Sequence, residues 1–184
     1  MKIKKLILLC GCFVALMGGD YEIGMEALKN NDFAKAHEYL SKSCTENNNM
    51  KACVELSEYL SKSCKKDNMN ACFELGMLNL TINNKENQQI GAEILSALCK
   101  NNHADSCRMI ANLFVVAGKE EEAFIMYQRV CMLDKEFCNF LAHYYENGLV
   151  VRQNVTQAIK YYQESCNAGN NSGCESLQKL YNKK

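Results

Sequence analysis

In "AIKYYQESC", Ala158, Tyr162 and Cys166 recur every four residues, which puts them on one face of a helix. The same helical periodicity flanks five polar stretches: "CTENNNMKAC", "CKKDNMNAC", "CKNNHADSC", "CMLDKEFC" and "CNAGNNSGC". Each stretch begins and ends with cysteine, and all but "CMLDKEFC" carry two or three asparagines in between, a residue that favours turns. The pattern therefore predicts an all-α chain in which antiparallel helices are joined by short polar turns.

The heptad "EYLSKSC" occurs twice, at Glu38 to Cys44 and at Glu58 to Cys64. The later cysteines keep a longer period. The first cysteines of the five stretches are separated by 20, 35, 32 and 35 residues. A helix-turn-helix repeated every 32–35 residues is an α/α solenoid of the tetratricopeptide kind. Between Cys53 and Cys64 there is room for one helix of about three turns, so the shorter repeat copies half a unit. If every turn reverses direction, Cys64/Cys72 and the three later bridges lie on one edge, and Cys44/Cys53 lies on the opposite one. The segment "NNDFAKAHEYLSKSC" carries a first-helix signature, yet by count it occupies a second-helix slot.

Composition narrows the class. The chain has 184 residues, is 48% hydrophobic and 23% charged, and has zero formal net charge. That is the balance of a folded protein, and it lacks the basic footprint of a nucleic-acid binder. Average usage would give roughly nine prolines; none is present, and no tryptophan. A chain made mostly of helices with Gly and Asn turns suits that absence.

The start, "MKIKKLILLCGCFVALMGGD", reads as a signal peptide over residues 1–19. Lys2, Lys4 and Lys5 precede an apolar run from Leu6 to Met17, with Gly18 and Gly19 where cleavage would fall. The run is shorter than the ~20 residues of a membrane span. An alternative is lipid attachment at Cys12, within Leu9-Cys10-Gly11-Cys12. Either route exports the chain, to the periplasm or beyond. The other ten of the twelve cysteines then read as disulfides paired in sequence order: Cys44/Cys53, Cys64/Cys72, Cys99/Cys107, Cys131/Cys138 and Cys166/Cys174. Zinc would need tighter pairs, and His37, His103 and His143 stand apart from one another. No metal or cofactor is implied.

The best-formed unit is "CNFLAHYYENGLVVRQNVTQAIKYYQESC". It has Leu141 and Tyr145 on one helix, a turn at Gly148, Val151 and Asn154 in the linker, and then Ala158, Tyr162 and Cys166. This pattern resembles the Sel-one-like repeats of the Helicobacter cysteine-rich proteins over about residues 30–180. The departures are Ser57, Ala111, Ala142 and Gln178 where the family has Gly, with only Gly76 keeping it. Gly91 replaces a packing Ala, and "AGKEEEA" is a short connection. The turn count around the half-unit gives residues 21–51 as an N-terminal helical hairpin cap with the first disulfide turn, and residues 52–184 as four such repeats, closed by a last helix at 173–182. The resemblance implies β-lactam binding with weak β-lactamase activity.

The residues do not independently supply that chemistry. S-x-x-K occurs at Ser63/Lys66 and Ser176/Lys179, but the S-D-N and K-T-G elements of a penicillin-recognising serine enzyme are absent. Glu120, Glu121 and Glu122 open a predicted helix and read as dipole partners. In the pairs Tyr144-Tyr145 and Tyr161-Tyr162 one ring fills a packing position, which leaves the other for ligand contact. The N-x-S/T triplets at Asn79, Asn154 and Asn170 carry no expectation of modification in a bacterial exported chain. The reading is thus an exported, disulfide-clipped scaffold that binds protein, peptide or cell-wall material, with β-lactam hydrolysis as the alternative.

Overall fold

The computed structural model describes residues 19–65, 68–82 and 84–182. The signal segment, including Cys10 and Cys12, and Lys66 lie outside the described residues. Among these the chain forms ten α-helices and no strand, in two compact units that divide at residue 67. The first unit holds α1 (Asp20–Lys29), α2 (Phe33–Thr45) and α3 (Met50–Cys64). The second holds α4 (Met69–Thr81), α5 (Lys85–Lys100), α6 (Ala104–Val116), α7 (Glu120–Leu133), a 3-10 turn (Lys135–Phe137), α8 (Cys138–Asn147), α9 (Val155–Asn167) and α10 (Asn171–Asn182).

Turn chemistry sets where the cysteines meet. In each cysteine-bounded stretch a capping residue stands four positions before the second cysteine: Asn49, Asn68, His103, Asp134 and Asn170. The Asn49 side chain accepts from Lys51 N at 3.1 Å, Asn68 from Ala71 N at 3.1 Å, and Asn170 from Gly173 N at 2.9 Å. His103 Nδ1 accepts from Ser106 N at 3.3 Å, and Asp134 from Glu136 N at 2.9 Å. These bonds satisfy amides that a helix start leaves without partners. The residue before the cap is left-handed at Asn48 (φ 51°), Asn102 (φ 64°) and Gly169 (φ 104°). Asn and Gly are the residues that enter this region most readily, which explains why the turns are rich in them.

A cap followed by one helical turn sets the second cysteine opposite the first. The Cys44–Cys53, Cys99–Cys107, Cys131–Cys138 and Cys166–Cys174 disulfides bring their Cα atoms to 4.8, 4.6, 4.4 and 4.6 Å. Cys64 and Cys72 are disulfide-bonded as well. In the second unit the last three of these bridges follow α5, α7 and α9. Every second turn is clipped, so these three share one end of the stack.

In the first unit α2 is the second helix of a hairpin with α1. Its Ala36, Leu40 and Cys44 are buried at the spacing of Ala158, Tyr162 and Cys166 on α9. The segment read from sequence as carrying a first-helix signature thus has second-helix character in pattern as well as position. Gly24 of α1 lets the pair close: a Cβ there would lie 2.7 Å from Leu40 Cγ. The two copies of "EYLSKSC" end α2 and α3, with Leu40 and Leu60 both turned into the interior. Helix α3 therefore begins like a first helix, at Cys53, and ends like a second, at Cys64.

The second unit packs its hairpins through small residues. Ala111 and Ala123 are fully buried on α6 and α7, as are Ala142 and Ala158 on α8 and α9. In α4 and α5 the matching contact is made by two glycines. A Cβ on Gly91 would lie 2.6 Å from Gly76 O and 3.0 Å from Leu80 N. Successive hairpins are stitched at the clipped turns. Arg129 of α7 reaches back to donate to Cys99 O (2.9 Å), Lys100 O (3.3 Å) and Asn102 Oδ1 (3.1 Å). One repeat later, Ser165 Oγ of α9 donates to Glu136 O at 2.6 Å, and Glu164 pairs with Lys135 at 2.9 Å.

Two outcomes follow from this packing. Gly91→Ala gains helix propensity but drives a methyl into backbone. We expect a net loss of about 1–2 kcal/mol in denaturant melts, against a gain if the glycine were incidental. Deleting residues 45–64 joins one copy of "EYLSKSC" to the sequence that follows the other, and so restores a bridge of ordinary spacing between Cys44 and Cys72. That variant is expected to remain helical with four disulfides, read by circular dichroism and non-reducing peptide mapping. Unfolding or scrambled pairing would show that α3 is indispensable.

Candidate binding cleft

The first helices of the last three hairpins or caps, α6, α8 and α10, together with α7 and α9, enclose a cleft of about 400 Å³ in the second unit. Val115 at the end of α6 and Leu149 after α8 form apolar walls. Phe140 contributes a half-buried ring stacked on Tyr127, with centroids 5.1 Å apart. The chain places Leu149 by ending α8 at Gly148 with φ 68°, the left-handed cap that glycine takes without strain.

The phenols of the cleft are each paired with a partner on another helix. Tyr144 OH of α8 donates to Glu120 Oε2 at 2.6 Å, across 24 residues of sequence. Tyr127 OH donates to Asn112 Oδ1 at 2.6 Å, and Tyr162 OH donates to Glu146 Oε2 at 2.8 Å. Burial is the main reason that all three phenols resist ionisation. Their acidic neighbours, Glu120 for Tyr127 and Tyr144 and Glu146 for Tyr162, add to it. Tyr145 is raised too, by burial and by Tyr161. Ser176 of α10 hydrogen-bonds Tyr162 and acts in the opposite direction, as a donor to the phenol oxygen does. Asn139 Oδ1 is buried at the cleft and has no hydrogen-bond partner.

Several residues singled out from sequence meet here, with altered roles. Glu120 does open α7, as a dipole partner would, but it also anchors Tyr144. Tyr144 and Tyr162 both line the cleft while being only 4% exposed. Tyr145 and Tyr161 stack on each other at 5.6 Å instead, and Tyr161 borders a separate groove with Lys160. Ser176 lies in the cleft, where Tyr162 is its partner, while Lys179 is exposed. Ser63 is at the end of α3, in the first unit. His143 lines the cleft from an exposed position and contacts Asn147 at 3.0 Å. His103 is a cap, and His37 lies 3.4 Å from Ser41 Oγ. Asn139 was not legible in advance, since nothing in its sequence neighbourhood marks an orphaned acceptor.

Cys131 Sγ, Cys138 Sγ and a Glu164 oxygen lie within 4.8 Å of one another, a grouping that resembles a metal site. The two sulfurs are bonded to each other, and Glu164 already pairs with Lys135. The cluster is a disulfide with an adjacent ion pair.

The Sel1 repeat family model matches residues 15–48 and 135–170, which take in α1–α2 and α8–α9. The two matched segments are Sel1 repeats. Helicobacter pylori cysteine rich protein B shares 28% identity and a TM-score of 0.54, over 69% of this chain and 96% of that one. A Sel1 repeat protein from Oxalobacter formigenes aligns with a TM-score of 0.64 at 21% identity, over 80% of this chain and 63% of that one. A protective antigen of uropathogenic Escherichia coli with an SLR fold aligns at 0.60 and 17%, over 89% and 41%. The chain thus spans less than two thirds of the length of either of these last two, and at such identities they speak for the fold alone. No curated protein sequence gives a significant match. The described helices form disulfide-clipped hairpins of the α/α solenoid kind seen in Sel1 repeat proteins, and no described helix is long and apolar enough to cross a membrane.

Of the nine tyrosines, Tyr127, Tyr144, Tyr145 and Tyr162 have raised pKa and are expected to stay protonated in the folded chain above about pH 10, the ordinary phenol value. The unfolded chain ionises all nine at that pH. The stability these four confer is therefore complete below about pH 10 and is lost as pH rises through their folded values. Ultraviolet phenolate absorbance should therefore include a late phase, from these four, that coincides with loss of helix. A single phase would contradict the burial described above.

Proposed function

We propose that this is an exported binding scaffold whose second unit holds an extended polypeptide in the cleft along α8. The observation that carries this reading is the lining itself. Five helices contribute to a cleft of about 400 Å³, large enough for a side chain and its flanking backbone and bordered by apolar walls and hydrogen-bonding groups. Paired cysteines throughout the described chain support residence in an oxidising compartment, periplasmic or extracellular. The lipid-anchored alternative through Cys12 would change the attachment and leave the cleft as it is.

β-Lactam binding is the other reading that the family resemblance offers. Ser176 supports it by position and Lys179 by spacing, but Tyr162 is the partner of that hydroxyl and no second activating group reaches it among the described residues. Cell-wall glycan is a third class of occupant, against which the same experiment discriminates.

The test is selection of phage-displayed random peptides on the folded protein, with counter-selection on Val115→Arg and Leu149→Arg variants. Both wall residues are more than a third exposed, so the variants should fold. Peptides that bind the parent at least tenfold better than the variants, and that slow hydrogen exchange in α6 and α8, are the expected result. Peptides indifferent to both substitutions would remove the cleft from the reading. In parallel, intact mass after incubation with excess penicillin should be unchanged. A gain of one penicillin at Ser176 would promote the enzyme reading.

A further inference from the structure

The hydrogen-bond directions in the cleft specify more than a polypeptide. A phenol or alcohol carries one proton and two lone pairs. Tyr127, Tyr144 and Tyr162 each donate that proton away, to Asn112, Glu120 and Glu146. The three phenols thus have their donors committed and can only accept from whatever enters. Asn139 adds a buried carbonyl oxygen without a partner. Glu120 adds a carboxylate, and no Lys or Arg lines the cleft. The lining is rich in acceptors and carries a negative charge; its own donors are the Asn139 amide and the His143 ring, and Arg108 acts on Tyr127 from outside the lining.

We infer that the occupant of the cleft is a lysine side chain presented by an extended polypeptide. The alkylammonium is the protein side chain that carries three donors and no acceptor on a compact head. Its methylene stem matches the apolar walls of Val115 and Leu149, in the way such stems lie along apolar surface with the charge at a polar end. Phe140, stacked by one face on Tyr127, is also part of the lining, and an aromatic ring attracts a cation to its face. Arginine is a poorer fit. Its planar fork of donors is suited to paired carboxylate oxygens, whereas Glu120 already accepts from Tyr144 with one of its two. The same lining opposes β-lactams, whose carboxylate would face Glu120 with no countercharge.

This inference rests on the peptide-binding reading, and its test separates the two. The probes are acetyl-Gly-Gly-Lys-Gly-Gly-amide and its norleucine and glutamate counterparts, titrated into the full mature chain by amide and tyrosine-ring NMR. The lysine peptide should shift resonances of Phe140, His143 and Tyr144 and bind at least tenfold more tightly than the norleucine peptide, with the glutamate peptide weakest. Glu120→Gln keeps an acceptor for Tyr144 while removing the charge. It should weaken the lysine peptide at least fivefold and leave the norleucine peptide unchanged. n-Butylammonium chloride should compete with the lysine peptide where sodium chloride of equal ionic strength competes less, a measurement that needs no variant. If lysine and norleucine peptides bind alike at the cleft, the polypeptide reading stands and the lysine assignment fails. If none of the three peptides shifts cleft resonances, both fail.

Discussion

Helical hairpins this thin bury little on their own, because each touches only its neighbours and no single deep core forms. What closes them is the cap placed one turn before a cysteine. Asn49, Asn68, His103, Asp134 and Asn170 each fix the start of a helix, and the cysteine four residues on is thereby delivered to its partner at the end of the previous helix. For a loop of about nine residues, the chain-entropy account gives roughly 2.5 kcal/mol per bridge. A typical domain is stable by ~5–15 kcal/mol in all. Several such bridges are therefore comparable to the whole net stability of a domain, and they explain how the chain can do with alanine and glycine at its helix contacts.

Those small contacts in turn set the geometry of the cleft. With Ala111 against α7 and Ala142 against α9, the hairpins approach closely enough for side chains on successive repeats to meet. Tyr144 reaches Glu120 and Tyr162 reaches Glu146 through that proximity. Arg129 and Ser165 then tie each hairpin to the clipped turn before it. The acceptor-rich interior of the cleft is the joint result of covalent clips at the turns, small residues between helices and tyrosines long enough to span from one repeat to the next.

Much of the fold could be read in advance because its rules are local. Four-residue spacing of Ala158, Tyr162 and Cys166 marks a buried helical face, paired cysteines mark the turns, and Gly91 marks a close approach. The double role of α3 was visible in the repeated heptad. The count of turns placed α2 in a second-helix slot although its local signature read as first-helix; the burial of Ala36 and Leu40 against α1 agrees with the count. The cleft was less legible for a related reason. Its hydrogen bonds join residues 15 to 24 positions apart, in different helices, and no sequence period records which hydroxyl points to which carboxylate. Glu120 reads as a dipole partner for its helix and Tyr162 as packing; both descriptions hold, and neither hints at a shared interior.

The bridges after α5, α7 and α9 hold one end of the stack, while the connections at residues 117–119 and 148–154 close the other end without covalent help. Asn139 and Ser176 sit beside bridged cysteines; Val115, Glu120 and Leu149 sit beside the unbridged connections. The cleft therefore has a rigid rim and a compliant rim. Glu120 thus stands on the compliant rim and Asn139 on the rigid one, much as a reed bends at its free end while its root keeps the pitch.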